Sequence, residues 1–505
     1  ILGLSKGARV RARYLSRLLP AILMVAGVAG SSVGVLGGLT AGGAANQEPA
    51  GYVAPASCGP GSYPEDGVQG EVPKADRVSG RSQFGYSCNM TLVGKYQGNG
   101  AGWVSATYGH CEYVGSFFAA ALGNGGGGVD VLDVSNPAEP RLTAILQSSA
   151  MELGTWESLK VDPTRGLLAA TGVPDPAGIG ALTFDIYSIK KDCAHPVLMN
   201  PLLDNLTVPT AVLGHEAVFS PDGQTYYSMS GFGELTAIDV SNPQRPEVIY
   251  ANQIGLGNHG ASLSPNGRVM YGVLTIPSPG IQILDVSQIQ DRDPDPQIRQ
   301  IGAVTWSDGL FSQMTIPFTS GGHHYLYAVD EAFGGGVRLL NIDDLAHPKV
   351  IREYRLAINL ASNAALRQRD TGGDGVFGYD SHYCSINSPV DPTLLACGYF
   401  ESGVRLTDIS NPLEPREVAY FNPPAQVSKQ GVLTNSPHAE TFEAPAVLAG
   451  GIPTAEMLLG TVHPSLSADW CTSPPTFEPN DQLWVTCQDN GFMVLNYTLP
   501  ADERP

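Results

Sequence analysis

The segment VRLTDISNPLEPREVAYF at residues 404–421 is one copy of a recurring pattern, and that recurrence constrains the fold more than any other feature of the chain. VDVLDVSNPAEPRLTAIL fills 129–146, LTAIDVSNPQRPEVIY 235–250, IQILDVSQIQDRDPDPQI 281–298 and VRLLNIDDLAHPKVIREY 337–354. Weaker copies lie at 181–198 and 492–500. Anchored on Asp133, Asp185, Asp239, Asp285, Ile342, Asp408 and Asn496, the seven copies stand 46 to 88 residues apart. A period of that size calls for a repeat architecture before any other fold.

Each copy has a physical reading. ELTAIDV alternates as a strand does, and Ser-Asn-Pro then turns the chain, since Asp and Asn side chains accept nearby backbone N–H groups and Pro pre-sets one dihedral. RPEVIY resumes as a strand. Upstream, HEAVFSPDGQTYYSMSG and HGASLSPNGRVMYGV each read as two alternating strands around a hairpin turn. The unit is therefore four short antiparallel strands. One such sheet cannot bury both faces, whereas seven stacked radially can. The expected fold is all-β, a seven-bladed β-propeller of four-stranded antiparallel blades. A linear solenoid would need a tighter period and polar end caps. The last copy lacks an outer strand, and CNMTLVGKYQ at 88–97 is expected to supply it, closing the ring by joining the two ends of the chain.

The VxVLDVSNPxxP copies, with GYSCNMTLVGKY, CEYVGSF and FESGVRLTDISNPLEPREVAYFNPP, resemble the LVIVD-repeat family over roughly residues 80–500. The resemblance implies an exported β-propeller and brings no catalytic motif with it. The copies depart from the pattern at 182–193 and 341–348 and in inserts at 355–378 and 425–462, where irregular blade edges are expected.

Residues 1–45 carry Lys6, Arg9, Arg11, Arg13 and Arg17, then an uncharged Gly- and Ala-rich run. That order reads as an export signal, with cleavage after Ala45, or else as an amino-terminal membrane anchor. A Gly/Pro-rich linker is expected over 46–85 and the propeller over 86–500. Export to the medium or cell surface follows. The formal charge of −20 and the lack of a basic stripe argue against nucleic acid.

Eight cysteines without a Cys-x-x-Cys suit disulfides in an exported chain. Cys384 and Cys397 fall on the first two strands of blade six, and Cys471 and Cys487 on those of blade seven. Adjacent antiparallel strands bring opposed Cβ atoms to about 4.5–5.5 Å, so both pairs are expected to bond. A third pair, Cys88–Cys111, would lock the seam of the ring. Cys58 and Cys193 are left to each other by arithmetic.

Aligned on their anchors, the copies give one further column: Trp103, Trp156, His215, His259, His382 and Trp470 open the innermost strands, with Phe311 nearest in blade five. Innermost strands line a propeller's channel. His215, His259 and His382 could there converge on a divalent metal, with Glu157 and Glu216 adding carboxylates. The competing account is packing around water with the tryptophans as a plug, the commoner outcome for isolated histidine motifs. His323 and His324 read as surface residues beside a turn. No Gly-x-Ser-x-Gly or His-Glu-x-x-His occurs, GNGGGG at 123–128 lacks the Lys of a phosphate loop, and DRDPDPQ at 291–297 lacks the central Gly of a calcium loop. TGGDGVFGYDSH at 371–382 places Asp374 and Asp380 near His382.

Three functions are carried forward. A cell-surface binding or scaffold module, meeting a protein or envelope partner through its face loops and not acting as an enzyme, is the leading expectation. A metal-dependent hydrolase or lyase with its site in the central channel is the alternative, and a purely structural envelope component the third.

Overall fold

The computed structural model describes residues 51–499 apart from 118–126, 173–182, 201–214, 231–232, 256, 276–277, 309, 333, 371–377, 427–432 and 437–467. The signal or anchor at 1–45, Asp374, most of GNGGGG and most of the 425–462 insert lie outside the described residues.

The described strands form seven antiparallel sheets arranged as a seven-bladed propeller. The innermost strands are Ser105–Tyr108, Lys160–Asp162, Glu216–Phe219, Ala261–Leu263, Leu310–Ser320, Ser381–Ile386 and Thr476–Glu478. Three further strands follow outward in each blade, in chain order except where the ring closes. The core lies between blades. Leu167, Ala169, Phe184 and Ile186 of blade two pack on Ala217, Phe219, Tyr226 and Ile238 of blade three, and Tyr271, Ile281 and Ile283 of blade four pack on Leu326, Ala328 and Leu340 of blade five. Full burial of each leucine, isoleucine or phenylalanine among them contributes about 1.5–3 kcal/mol, so the stack of sheets, not any single one, is the stable unit.

The ring closes as the sequence requires. Met90–Tyr96 pairs antiparallel with Gly491–Tyr497, matching Met90 to Tyr497 and Tyr96 to Phe492. Just before it, Tyr86–Cys88 pairs with Arg416–Asn422 as a fifth strand on blade six. The expected closing segment 88–97 is thus divided at Asn89, whose φ of 53° turns the chain from one blade to the next. Gly94 shows why the seam is tight: a Cβ there would meet the Pro137 carbonyl oxygen of blade one at 2.4 Å. Gly302, on the outer strand of blade four, meets the Leu345 carbonyl of blade five in the same way, at 2.2 Å.

The anchor carboxylates accept backbone N–H bonds two residues on: Asp133 from Ser135 at 2.9 Å, Asp239 from Ser241 at 2.8 Å, Asp285 from Ser287 at 3.0 Å and Asp408 from Ser410 at 2.9 Å. In blade five this role falls to Asn341, which takes the Asp343 N–H at 3.2 Å, one residue before the expected Ile342. In blade two the third strand ends at Ser188, paired with Leu167, so Asp185 is not at the anchor position. It is buried and accepts the Ala150 N–H at 2.7 Å.

Four disulfides form. Cys384–Cys397 and Cys471–Cys487 bond as expected, each across an innermost strand or its lead-in and the neighbouring second strand. The expected Cys88–Cys111 and Cys58–Cys193 pairs do not form. Cys88 lies on blade six and bonds Cys58, while Cys111 of blade one bonds Cys193 of blade two. The Cys111–Cys193 bridge ties two neighbouring blades, and Cys58–Cys88 ties the amino-terminal segment to blade six.

Residues 51–85, expected as linker, are packed onto blades five and six. Val53 N–H bonds the Arg355 carbonyl at 3.0 Å, and the buried Arg405 guanidinium joins Glu65 at 2.8 Å and Glu417 at 3.1 Å above the Tyr420 ring. Arg77 likewise meets Glu401 at 2.8 Å. A buried guanidinium needs such partners, which a free linker would not supply.

Candidate metal centre in the central channel

The column of ring residues gathers on the axis. Trp103 stands 5.5 Å from Trp156 and 6.3 Å from Trp470 by ring centroids, making an aromatic wall with Phe117 and Phe400. Trp156 leads to His215 at 5.9 Å, and His215 to His259 at 4.2 Å. His382 faces this arc from the other side, 5.7 Å from Trp103. The tryptophans therefore fill one half of the channel and the imidazoles hold the other.

Glu157 is the hub of the polar half. Its Oε2 lies 2.8 Å from His215 Nε2 and 3.4 Å from His259 Nε2, and its Oε1 lies 2.9 Å from His382 Nε2. The residue before it, Trp156, holds a left-handed φ of 49°, uncommon for a bulky side chain. Glu331 adds a second carboxylate, 3.4 Å from His382 Nε2 and 3.7 Å from His259 Nε2. Glu216 adds a third, 3.6 Å from His259 Nδ1. Its place depends on Gly260, where any Cβ would come within 1.7 Å of Glu216 Oε2. The backbones of Glu157 and Glu216 form a parallel bridge between blades two and three.

Two of these groups are delivered by β-bulges, which re-aim side chains beside functional sites. The pairing of Leu310–Ser320 with His323–Ala332 skips Gln313, and the pairing of Ser381–Ile386 with Leu394–Tyr399 shifts between Ser381 and Cys384, freeing His382. Gln313 Nε2 donates to Glu157 Oε1 at 3.0 Å and stands 3.2 Å from His382 Nε2. Gln313, not Phe311, is thus the channel residue of blade five.

Burial opposes charging the imidazoles, but the carboxylates of Glu157 and Glu331 outweigh it. In the metal-free protein they raise His382 to about 10 and, with Glu216, His259 to about 9. Burial would raise the Glu157 carboxyl as well, yet His259, His215 and His382 hold it well below its usual value. The tautomer of His382 follows from its neighbours: Nδ1 faces the Thr472 carbonyl at 2.6 Å, which can only accept, so Nδ1 carries the hydrogen. Its Nε2 lone pair then points at two carboxylate oxygens. Only a proton or a cation can stand between them.

The donor set suits a metal. Ligand atoms of Glu157, His215 and His259 all lie within 4.8 Å of one another, a group poised to hold an ion. Imidazole and carboxylate together select first-row divalent metals, and an N–H···O=C contact such as that of His382 is a usual outer support for a metal-binding histidine. Glu216 Oε2, His259 Nδ1 and Gln313 Oε1 are buried without a hydrogen bond, an arrangement that costs free energy unless an ion or water completes it. A second group, His110 with Cys111 and Cys193, is equally compact. Its sulfurs are joined in a disulfide, and the metal ligand is the thiolate.

Lys160 lies between a cavity and the carboxylate cluster. It lines a cavity of about 310 Å³ beside the innermost strands of blades one to three, with Ser105, Asp162, Val218, Ser220 and Pro474. Its Nζ reaches to 3.5 Å from Glu216 Oε1 and 5.2 Å from the Tyr383 ring centroid.

The remaining candidates fall elsewhere. His323 and His324 are exposed beside Asp343. Asp380 accepts the Gly334 and Gly335 N–H groups, and burial raises its carboxyl to about 7. In 291–297, Asp291 pairs with Arg268, and Arg292 with Asp239.

Comparison with known proteins adds a family signal over one blade. A model described as the LVIVD repeat matches residues 122–147. No curated protein matches the chain. Among solved structures, a functionally unknown protein from Desulfotomaculum acetoxidans is 12% identical over 62% of this chain and 86% of its own, with a TM-score of 0.42. Hydrazine synthase of Kuenenia stuttgartiensis is 11% identical over 64% of this chain and 80% of its own, also with a TM-score of 0.42. Likenesses this distant carry nothing about activity. What corrects the expectation of a non-enzymatic module is the channel itself: a buried cluster of imidazoles and carboxylates is costly to maintain as mere packing.

Proposed function

We propose that this propeller is a divalent-metal-dependent enzyme of the hydrolase or lyase class, with its centre on Glu157, His215, His259 and His382. The observation that carries the proposal is the convergence of three imidazole Nε2 atoms on the two oxygens of one carboxylate, within 2.8–3.4 Å. A bound ion would act as a Lewis acid on a carbonyl or phosphoryl oxygen, or lower the pKa of a bound water. Around it, Gln313 holds Glu157, the Thr472 carbonyl orients His382, and the tryptophan wall keeps water from half of the channel. Lys160, between the cavity and Glu216, favours a substrate with an anionic group, whose charge it would meet on entry.

We also propose that the chain is an exported LVIVD-repeat propeller of the cell surface. The recurring Asx turns, the match at 122–147 and the four disulfides support this, since disulfides persist in oxidising compartments. Native protein starting near Asn46 would agree with a cleaved signal, and detergent-dependent extraction of a longer chain would indicate an anchor instead. An envelope partner at the face loops is compatible with either.

The enzymatic proposal is tested with full-length protein stripped by chelator and reloaded with Zn²⁺, Mn²⁺ or Fe²⁺. It is assayed on carboxylate-bearing esters, phosphoesters and β-hydroxy acids. Turnover restored by metal and lost in His259→Ala supports it; turnover indifferent to both contradicts it.

A further inference from the structure

The two oxygens of Glu157 face different histidines, and so do those of Glu331. Oε1 of Glu157 and Oε2 of Glu331 both face His382 Nε2, at 2.9 and 3.4 Å. Oε2 of Glu157 and Oε1 of Glu331 both face His259 Nε2, at 3.4 and 3.7 Å, and the former also faces His215 at 2.8 Å. The polar half of the channel is thus two adjoining nests, each with one oxygen from each carboxylate, the first with the His382 nitrogen and the second with those of His215 and His259.

We propose that the centre holds two divalent ions bridged by the carboxylates of Glu157 and Glu331, one ion on His382 and the other on His215 and His259. This rests on the metal-centre reading above and adds the second ion.

The spacing supports it. Metal–nitrogen and metal–oxygen bonds of about 2.0–2.2 Å put neighbouring ligand atoms roughly 3–3.5 Å apart, and the facing N···O distances fall around that range, 2.8 to 3.7 Å. Carboxylates that present one oxygen to each of two nests are placed to span ions about 3.5–4 Å apart, the usual separation in two-metal sites. A single ion would leave the other nest, two carboxylate oxygens facing an imidazole nitrogen, to be filled by a proton. Charge agrees as well: with the imidazoles neutral as metal ligands, Glu157, Glu216 and Glu331 set three carboxylates in a buried volume beside Lys160. Glu216 Oε2 faces the other ring nitrogen, His259 Nδ1, at 3.6 Å, and so fixes the ring with Nε2 turned toward the second ion.

The test uses full-length metal-free protein titrated with Mn²⁺, read by elemental analysis and electron paramagnetic resonance. Two Mn²⁺ per chain are expected, with an exchange-coupled spectrum replacing the hyperfine sextet of an isolated ion. One Mn²⁺ per chain with an uncoupled sextet would overturn the pair and leave the single-ion centre standing, whereas no bound Mn²⁺, Zn²⁺ or Fe²⁺ would overturn both. Glu331→Gln, checked for folding by its thermal transition, should bind one ion per chain and lose the coupling. Two coupled ions in that variant would overturn the bridging role of Glu331. The wild-type titration decides the stoichiometry even if the variant does not fold.

Discussion

Glu157 Oε1 lies 2.9 Å from His382 Nε2, although the two residues come from blades two and six and meet only across the channel. The contact exists because the ring is closed. Propeller geometry converts seven local hairpin patterns into one axial cluster that no blade contains by itself.

Glu157 should therefore be the most sensitive position of the chain. In the metal-free protein, Glu157→Gln leaves three imidazoles without their common partner, and removal of one member of a buried charge cluster costs about 3–5 kcal/mol. Denaturant titration of the chelated protein should register that loss. In the same variant the affinity for Mn²⁺ should fall by roughly 100-fold or more, beyond the 10–100-fold typical of lost outer-shell partners. A variant with unchanged stability and unchanged metal binding would remove Glu157 from the centre.

The metal-free protein should also have a distinctive pH profile. His259 and His382 are raised from 6.5 to about 9 and 10, so the stability they contribute is complete below about pH 6.5 and lost as pH rises through those values. Glu157 is lowered from 4.5, so its share is present above about pH 4.5 and lost on acidification. Stability of the chelated protein should peak between these limits and decline toward pH 10. With metal in place of the protons, the alkaline decline should be absent. Thermal melts across pH, with and without Zn²⁺, compare the two; identical curves would contradict the coupling.

Much of this was legible in the sequence because local signals repeat. The Asx turns at Asp133, Asp239, Asp285 and Asp408, the hairpins, the missing outer strand and the His/Trp column all follow from short-range patterns that every blade must satisfy. Gln313 and Glu331 were not legible, since Gln313 reaches the axis through a bulge that breaks the two-residue alternation and Glu331 sits at the inner end of a second strand, where nothing in the pattern marks it. The Cys111–Cys193 bridge was hidden for a related reason: it joins different blades, and the spacing of strands within a blade says nothing about which edges meet. Asp185 misled because blade two carries Ser188 at the anchor position.

The seam of the ring gives a separate prediction. Gly94→Val would push side-chain atoms into the Pro137 carbonyl of blade one. Overpacking of this kind costs about 1–3 kcal/mol, so the thermal midpoint should fall. The corresponding change Gly302→Val in blade four should behave alike, because its Cβ would meet the Leu345 carbonyl. Midpoints unchanged in both variants would show that outer strands do not bear on the next blade's turn.

The disulfides can be read directly. Non-reducing peptide mapping should recover Cys58 linked to Cys88, Cys111 to Cys193, Cys384 to Cys397 and Cys471 to Cys487. Replacing Cys384 and Cys397 together by Ser should destabilise the protein by about 2–3 kcal/mol in chemical denaturation, as expected for the loss of a short disulfide-closed loop. Recovery of Cys88 linked to Cys111 would contradict the placement of Cys88 on blade six.

The central claim is that the channel is a metal centre, and anomalous diffraction from crystals of protein loaded with Zn²⁺ tests it most directly. Anomalous density is expected on the axis, with Nε2 of His215, His259 and His382 and the Glu157 carboxylate each within about 2.0–2.2 Å of a peak. A channel without anomalous density after loading, with the three imidazoles still paired to Glu157, would contradict it.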